Sequence, residues 1–326
     1  MKKAMKIILI ILGVIILLVI LGLVGCMAAM DKRNKTYYEY TKTGGDIEAK
    51  YTAMGELETE YKEFKADDDK IGKYAVWYPK ELESGDNKYP IVLWANGTGS
   101  KSETYKYFLT HLASWGFIAV GNDDKNTRTG ESLEKTLQFL ISENDNKDSV
   151  FYQKLDLDNI GIGGHSQGGP AVFNMVTEQE HGNMIKTVYA VSATSSYHTA
   201  IYQDGWEYDI SKMNVPTFLT AGTGTFDAGT ASTKDQKNDD EKKIAQGICP
   251  LWSLEENYAL LPDDVFKIYA RKKDIDHGET HTQCDSYMTA WFMYQLKGDE
   301  SAGKAFIGDD AEILSNENWQ DVQKNN

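Results

Sequence analysis

Gly164-His165-Ser166-Gln167-Gly168 sets a serine between two glycines at the spacing G-x-S-x-G. A serine hydroxyl is a weak nucleophile at neutral pH. It does chemistry only if a base takes its proton and a third group orients that base. Two bases follow downstream in Asp274-Ile275-Asp276-His277-Gly278-Glu279-Thr280-His281. His277 is the nearer to the apolar segment before it, and His277-Gly278 allows a tight turn, so His281 is expected farther out, at a pocket rim. The acid candidate is Asp227, after Thr217-Phe218-Leu219-Thr220-Ala221-Gly222; Asp235, Asp239 and Asp240 are rivals in a solvated charge run. An oxyanion would need two preorganised donors. One is the N–H of Gln167, next to the serine; the other is Thr98 or Gly97 in Asn96-Gly97-Thr98-Gly99.

Other chemistries fit the same residues less well. Gly161-x-Gly163 would need its third glycine where Ser166 stands, and no G-x-x-x-x-G-K-[ST] occurs, so a phosphate loop is not expected. His277-x-Glu279-x-His281 is not H-E-x-x-H and has no evident third ligand, so neither a metal nor another cofactor is expected. The bland reading of the serine is a glycine-rich turn. Of the remaining histidines, His111 reads as core, His165 as packing beneath the serine turn, and His181 and His198 as loop residues.

These groups must be held by the ends of strands. Ile160 and Ile162 mark a short buried strand before Ser166, and a helix is expected from Gly169 or Pro170 through Thr177. Further strands are expected at Pro90–Ala95, Phe117–Val120, Thr187–Val191, Val215–Ala221 and Val265–Ala270, with helices at Thr104–Trp115, Ser132–Ser142 and Tyr287–Leu296 and a last turn at Ala302–Phe306. Gly55–Phe64 and Tyr74–Tyr78 read as an antiparallel edge pair. Short apolar strands alternating with amphipathic helices predict a mainly parallel central sheet with helices on both faces, an α/β fold. The segment from Asp227 to Leu261 is too long for a plain loop and reads as a surface excursion. Aromatic residues at Tyr197, His198, Tyr202, Trp206 and Tyr208 are candidates for a pocket wall.

The chain has 326 residues, 41% hydrophobic and 25% charged, which is ordinary globular composition. Lys2, Lys3 and Lys6 precede an unbroken apolar run from Ile7 to Met30, longer than the roughly 20 residues that span a bilayer. Residues 1–30 are read as a membrane anchor with the remainder outside. Alternatively, Leu23-Val24-Gly25-Cys26 has the form of a lipobox, with Cys26 as the lipidation site. A polar stalk is expected over 31–50 and a catalytic domain over 51–326. The net charge of −15 argues against a nucleic-acid partner. The domain is expected to be monomeric. Cys249 and Cys284 could form a disulfide outside the cell, or remain buried thiols.

Three stretches resemble a known family: Val215-Pro216-Thr217, Leu112-Ala113-Ser114-Trp115-Gly116-Phe117 and Gly164-His165-Ser166-Gln167-Gly168-Gly169. They are similar to the polyester hydrolase, cutinase-like and dienelactone hydrolase branch of the α/β hydrolases, over about Tyr74 to Leu296. The resemblance implies an α/β-hydrolase fold, Ser166 as nucleophile, His277 as base, Asp227 as acid, and Thr98 with Gln167 as oxyanion donors. The expected reaction is cleavage of a small or polymeric ester; acyl transfer by the same triad and a non-catalytic binding module remain as alternatives. The acid loop Gly222–Asp227 is about two residues longer than the polyester hydrolase pattern. The oxyanion loop also lacks that pattern's aromatic residue, so activity on synthetic polyesters is not implied.

Overall fold

The structure is a computed structural model that describes residues 19, 20, 25, 29, 31–202, 205–236 and 245–326. It divides into two compact units, Met1–Tyr40 and Thr41–Asn326. In the first, Tyr37–Glu39 forms a 3-10 turn. No helix among the described residues is long and apolar enough to cross a membrane. Cys26 and nearly all of the Ile7–Met30 run lie outside the described residues.

The second unit is built on one sheet. Its strands are β1 Thr59–Lys65, β2 Lys73–Pro79, β3 Tyr89–Ala95, β4 Ile118–Asn122, β5 Leu155–His165, β6 Ile185–Val191, β7 Thr217–Gly222, β8 Lys267–Lys272 and β9 Trp319–Lys324. They lie in the order β1-β2-β4-β3-β5-β6-β7-β8-β9. From β4 to β8 all pairs are parallel. The expected edge pair β1–β2 is antiparallel and joins the sheet through β4. Strand order reverses between β3 and β5, and the carboxyl ends of strands on either side of such a reversal flank a natural crevice.

The central strands are apolar on both sides because both faces are covered. On one face Ile91, Leu93, Ile160, Ile162 and Val188 pack with Leu133, Leu137 and Leu140 of helix Glu131–Asp145, Phe173 of helix Gly168–Glu178 and Leu254 of helix Leu251–Leu260. On the other lie helices Lys106–Ser114 and Asp285–Lys297. There the Trp94 and Phe108 rings meet at 4.5 Å, and Trp291 Nε1 donates to Thr187 Oγ1 at 2.7 Å. Glycine is required at Gly161, where a Cβ would come within 2.8 Å of the Phe292 ring.

Three expectations need correction. The polar stalk does not run to residue 50, because Asp46–Thr52 is a helix of the folded unit. Its first N–H groups are capped by the Glu312 carboxylate, from Ile47 at 2.7 Å and Glu48 at 2.8 Å. Glu48 is fully buried and pairs with buried Lys272 at 2.6 Å. A polar sequence thus folds because its partners come from the far end of the chain. The last turn becomes the short helix Glu300–Gly303, and a further strand, β9, follows it. β9 lies antiparallel to β8 at the second sheet edge, and Asp321 within it has φ +54°. Cys249 and Cys284 are free thiols, both buried. Cys249 packs in the core beside Leu254, whereas the Cys284 carbonyl accepts from Tyr189 OH on the opposite face. The sheet stands between them, and a disulfide needs its Cα atoms within about 7 Å.

Candidate active site

β5 ends at His165 and the helix Gly168–Glu178 begins three residues later, leaving Ser166 on a sharp turn with φ +60°. A non-glycine residue in this left-handed region carries about 1–3 kcal/mol of strain, held in place by its surroundings. Here the Ser166 N–H donates to Val191 O at 3.1 Å, and its carbonyl accepts from Gly169 N at 2.9 Å and Thr194 N at 3.1 Å. The flanking glycines allow the turn to close. A Cβ on Gly164 would sit 2.1 Å from Gly168 O, and one on Gly168 would sit 2.3 Å from Ala95 O.

His277 reaches this serine from the loop after β8. Its Nε2 lies 3.0 Å from Ser166 Oγ and its Nδ1 lies 2.9 Å from Asp227 Oδ1. A carboxylate only accepts, so Nδ1 carries the proton and Nε2 is free to accept from the serine hydroxyl. Asp227 sits in the short helix Thr225–Ala228 after β7 and is fully buried. Its second oxygen accepts from Gly222 N at 2.6 Å and Ser192 Oγ at 2.8 Å. The longer acid loop therefore still delivers Asp227 to the imidazole. Of its rivals, Asp235 is exposed, while Asp239 and Asp240 lie outside the described residues.

Two supporting residues were not singled out by sequence reasoning. Asp276 Oδ1 accepts from both Asp227 N and His277 N at 2.8 Å, and its Oδ2 accepts from Phe226 N at 3.2 Å. One carboxylate thus joins the acid loop to the base loop. Burial opposes its charge, but these N–H groups and the nearby imidazole hold Asp276 below its ordinary range. Ser192 directly follows β6 with φ +51°, also left-handed, which turns its hydroxyl onto Asp227. Its place at a strand's carboxyl end was the available signal; the adjacency of Asp276 to His277 was the other.

Of the two oxyanion-loop candidates, Gly97 spends its N–H on Tyr105 OH at 2.8 Å. Thr98, the next residue, is exposed. Gln167 is the N-cap residue of the helix after Ser166, and its side chain donates to Lys125 O at 2.7 Å.

The other histidines separate clearly. His281 is half-buried. Its ring packs on Tyr105 at 5.2 Å and on His165 at 5.3 Å, with Nδ1 buried and without a hydrogen-bond partner. Burial and then the charge of His277 push its pKa down to about 4. His165, also beneath the turn, is held well below its ordinary value by burial and by the His277 and His281 charges. A Glu134, Glu180 and His181 group could offer three ligand atoms to a metal, but Glu134 already accepts from His181 and Gln138. His198 belongs to helix Ser196–Tyr202, accepts or donates at Ser195 Oγ over 3.0 Å, and is lowered by burial and by the charge of His277. Of the aromatic candidates, Tyr202 is 47% exposed, whereas Tyr208 packs on Phe173 and bonds Asn257. Phe226 was not among them, yet it is 46% exposed with its ring edge-on to His277 at 5.4 Å.

Comparison with known proteins covers part of this site. No curated protein matches the chain. Residues 75–193 match the family model Chlorophyllase, which takes in β2 through β6 with Gly97, Thr98 and Ser166, and stops before Asp227 and His277. That family is one of ester-cleaving hydrolases, and the match together with the mainly parallel, helix-covered sheet supports a hydrolase of the α/β-hydrolase class.

Proposed function

We propose that the chain is a serine hydrolase that cleaves carboxylic esters through Ser166, His277 and Asp227. The carrying observation is the continuous line from a strained Ser166 to His277 Nε2 at 3.0 Å and from Nδ1 to a buried Asp227 at 2.9 Å. His277 takes the proton as Ser166 Oγ attacks the acyl carbonyl, and Asp227 stabilises the imidazolium. The oxyanion develops toward the N–H groups of Gln167 and Thr98, each worth roughly 2.7–4 kcal/mol if removed. His277 then returns the proton to the leaving alcohol, and water releases the acyl group by the same path in reverse. The similarity of the three sequence stretches to polyester and dienelactone hydrolases supports an ester as substrate. The apolar run Ile7–Met30 supports a catalytic unit held at a membrane on its outer side. Labelling with a fluorophosphonate tests the mechanism: the wild type is expected to label and Ser166→Ala and His277→Ala to fail. Equal labelling of all three overturns it.

A further inference from the structure

We infer that Tyr105 and His165 form a hydrogen-bonded strut that sets the three catalytic loops in register, so that both are positioning residues for the reaction; this rests on the ester-hydrolase reading. The strut is continuous. Gly97 N–H donates to Tyr105 OH at 2.8 Å, Tyr105 OH meets His165 Nδ1 at 3.2 Å, and His165 Nε2 meets the His277 carbonyl at 2.9 Å. Tyr105 is 1% and His165 is 7% exposed, so water does not substitute for these bonds.

The proton positions follow from the two ends. An amide N–H only donates and a carbonyl only accepts. Tyr105 oxygen therefore accepts from Gly97 and gives its own proton to His165 Nδ1. His165 must then be the neutral Nε2–H tautomer, donating to His277 O. Burial beside His277 and His281 favours that neutral form. The Ser100 side chain also meets the Tyr105 oxygen, and with His165 neutral the order of protons along the strut stays the same.

Its anchor points lie at or within one residue of Thr98, Ser166 and His277. Gly97 precedes Thr98, so its engagement with Tyr105 fixes the peptide that carries the second oxyanion donor of the proposed reaction. His165 precedes Ser166. His277 is held by its own carbonyl while its ring reaches Ser166, and Thr280 Oγ1 grips the same carbonyl at 3.0 Å. These loops follow β3, β5 and β8, which are not all neighbours in the sheet, so strand pairing alone does not fix their relative heights. A shift of about 1 Å between reacting groups can cost on the order of a hundredfold in rate without weakening binding.

The test compares Tyr105→Phe, His165→Leu, His165→Gln and the double variant Y105F/H165L with wild type and Ser166→Ala. The readouts are p-nitrophenyl acetate kinetics, the rate of fluorophosphonate labelling, and thermal melting. Y105F, which deletes one oxygen, is expected to lose about tenfold to a hundredfold in kcat and in labelling rate, with KM within about twofold. H165Q, whose amide N–H can still reach His277 O, is expected to retain more activity than H165L. The double variant is expected to be no worse than H165L, because one broken strut cannot be broken again. A Y105F enzyme with wild-type kcat, a change confined to KM, or additive losses in the double variant overturns the strut. If H165L does not fold, Y105F against H165Q decides. A wild type that labels no faster than Ser166→Ala overturns the hydrolase reading together with the strut. A labelled wild type beside an equally fast Y105F overturns the strut alone.

Discussion

Replacing Asp227 by asparagine should be worse than removing its carboxyl group altogether. The carboxylate divides its oxygens between His277 Nδ1 at 2.9 Å and the Gly222 N–H at 2.6 Å. The backbone donor cannot turn away, so an asparagine must place its own oxygen on Gly222. Its NH2 group then faces His277 Nδ1, which can only accept. The imidazole is driven into the Nε2–H tautomer, and a proton now points at Ser166 where a lone pair is needed. For a triad this error costs about 10⁴ in kcat, or roughly 5 kcal/mol at 1.36 kcal/mol per tenfold. Asp227→Ala also loses the orienting group, but leaves the tautomer free, so its kcat should exceed that of Asp227→Asn by about tenfold. KM should stay near wild type in both, since Asp227 is fully buried. Ala leaves Gly222 N–H unpaired, at a stability cost of about 1–3 kcal/mol, so melting curves must show both variants folded at the assay temperature. Steady-state hydrolysis of p-nitrophenyl butyrate supplies the rates. Asp227→Asn within tenfold of wild type, or Asp227→Ala falling below it, would refute the tautomer argument.

Two further outcomes concern the scaffold. Lys272→Met strands the Glu48 carboxylate in the core, and breaking a buried pair typically costs about 3–5 kcal/mol. At roughly 2–4 °C per kcal/mol for a unit this large, the Tm should fall by about 6–15 °C. Burial opposes the charge on Glu48, but Lys272, Asn316 and Trp319 overcome it and hold its pKa below 4.5. A depressed carboxylate stabilises above its unfolded pKa and loses that contribution as pH falls through the folded one. The deficit of Lys272→Met should therefore be full near pH 7 and shrink below about pH 4.5; a pH-independent deficit in thermal melts would contradict the pairing. For the thiols, burial raises Cys249 well above its usual range and raises Cys284 likewise. Maleimide should leave both peptides unmodified in the native protein and modify both in denaturant without reductant. Modification only after reduction would restore the disulfide.

The turn at Ser166 was legible because its demands are local: glycines at 164 and 168 are imposed by backbone atoms within 2.3 Å of their missing Cβ positions. The parallel core was legible for a related reason, since strands covered on both faces leave continuous apolar runs such as Ile91–Ala95. The segments that were misread take their structure from distant partners. Asp46–Thr52 is polar and becomes helical under the Glu312 cap. β9 is half-solvated, and Trp319-Gln320-Asp321-Val322-Gln323-Lys324 has no apolar run to announce it. Counting residues from His277 sets His281 farther out, and the turn Thr280–Gln283 packs its half-buried ring on Tyr105. Asp276, Ser192 and Tyr105 act on backbone groups or on another side chain, and such roles leave no spacing in the sequence.

The two outer strands bear on how this unit meets its neighbours. A sheet whose last strand shows unpaired N–H and C=O groups is a template for another chain. Here β1 carries Glu60, Lys62, Glu63 and Lys65 along that rim. At the opposite rim Asp321 breaks the extended path with its left-handed φ and pairs with Arg271 at 2.7 Å, where the register with β8 also shifts. Strand addition would have to bury charges on one side and straighten an irregular strand on the other. Crowding many copies together would then raise their local concentration without offering them a route into a shared fibre.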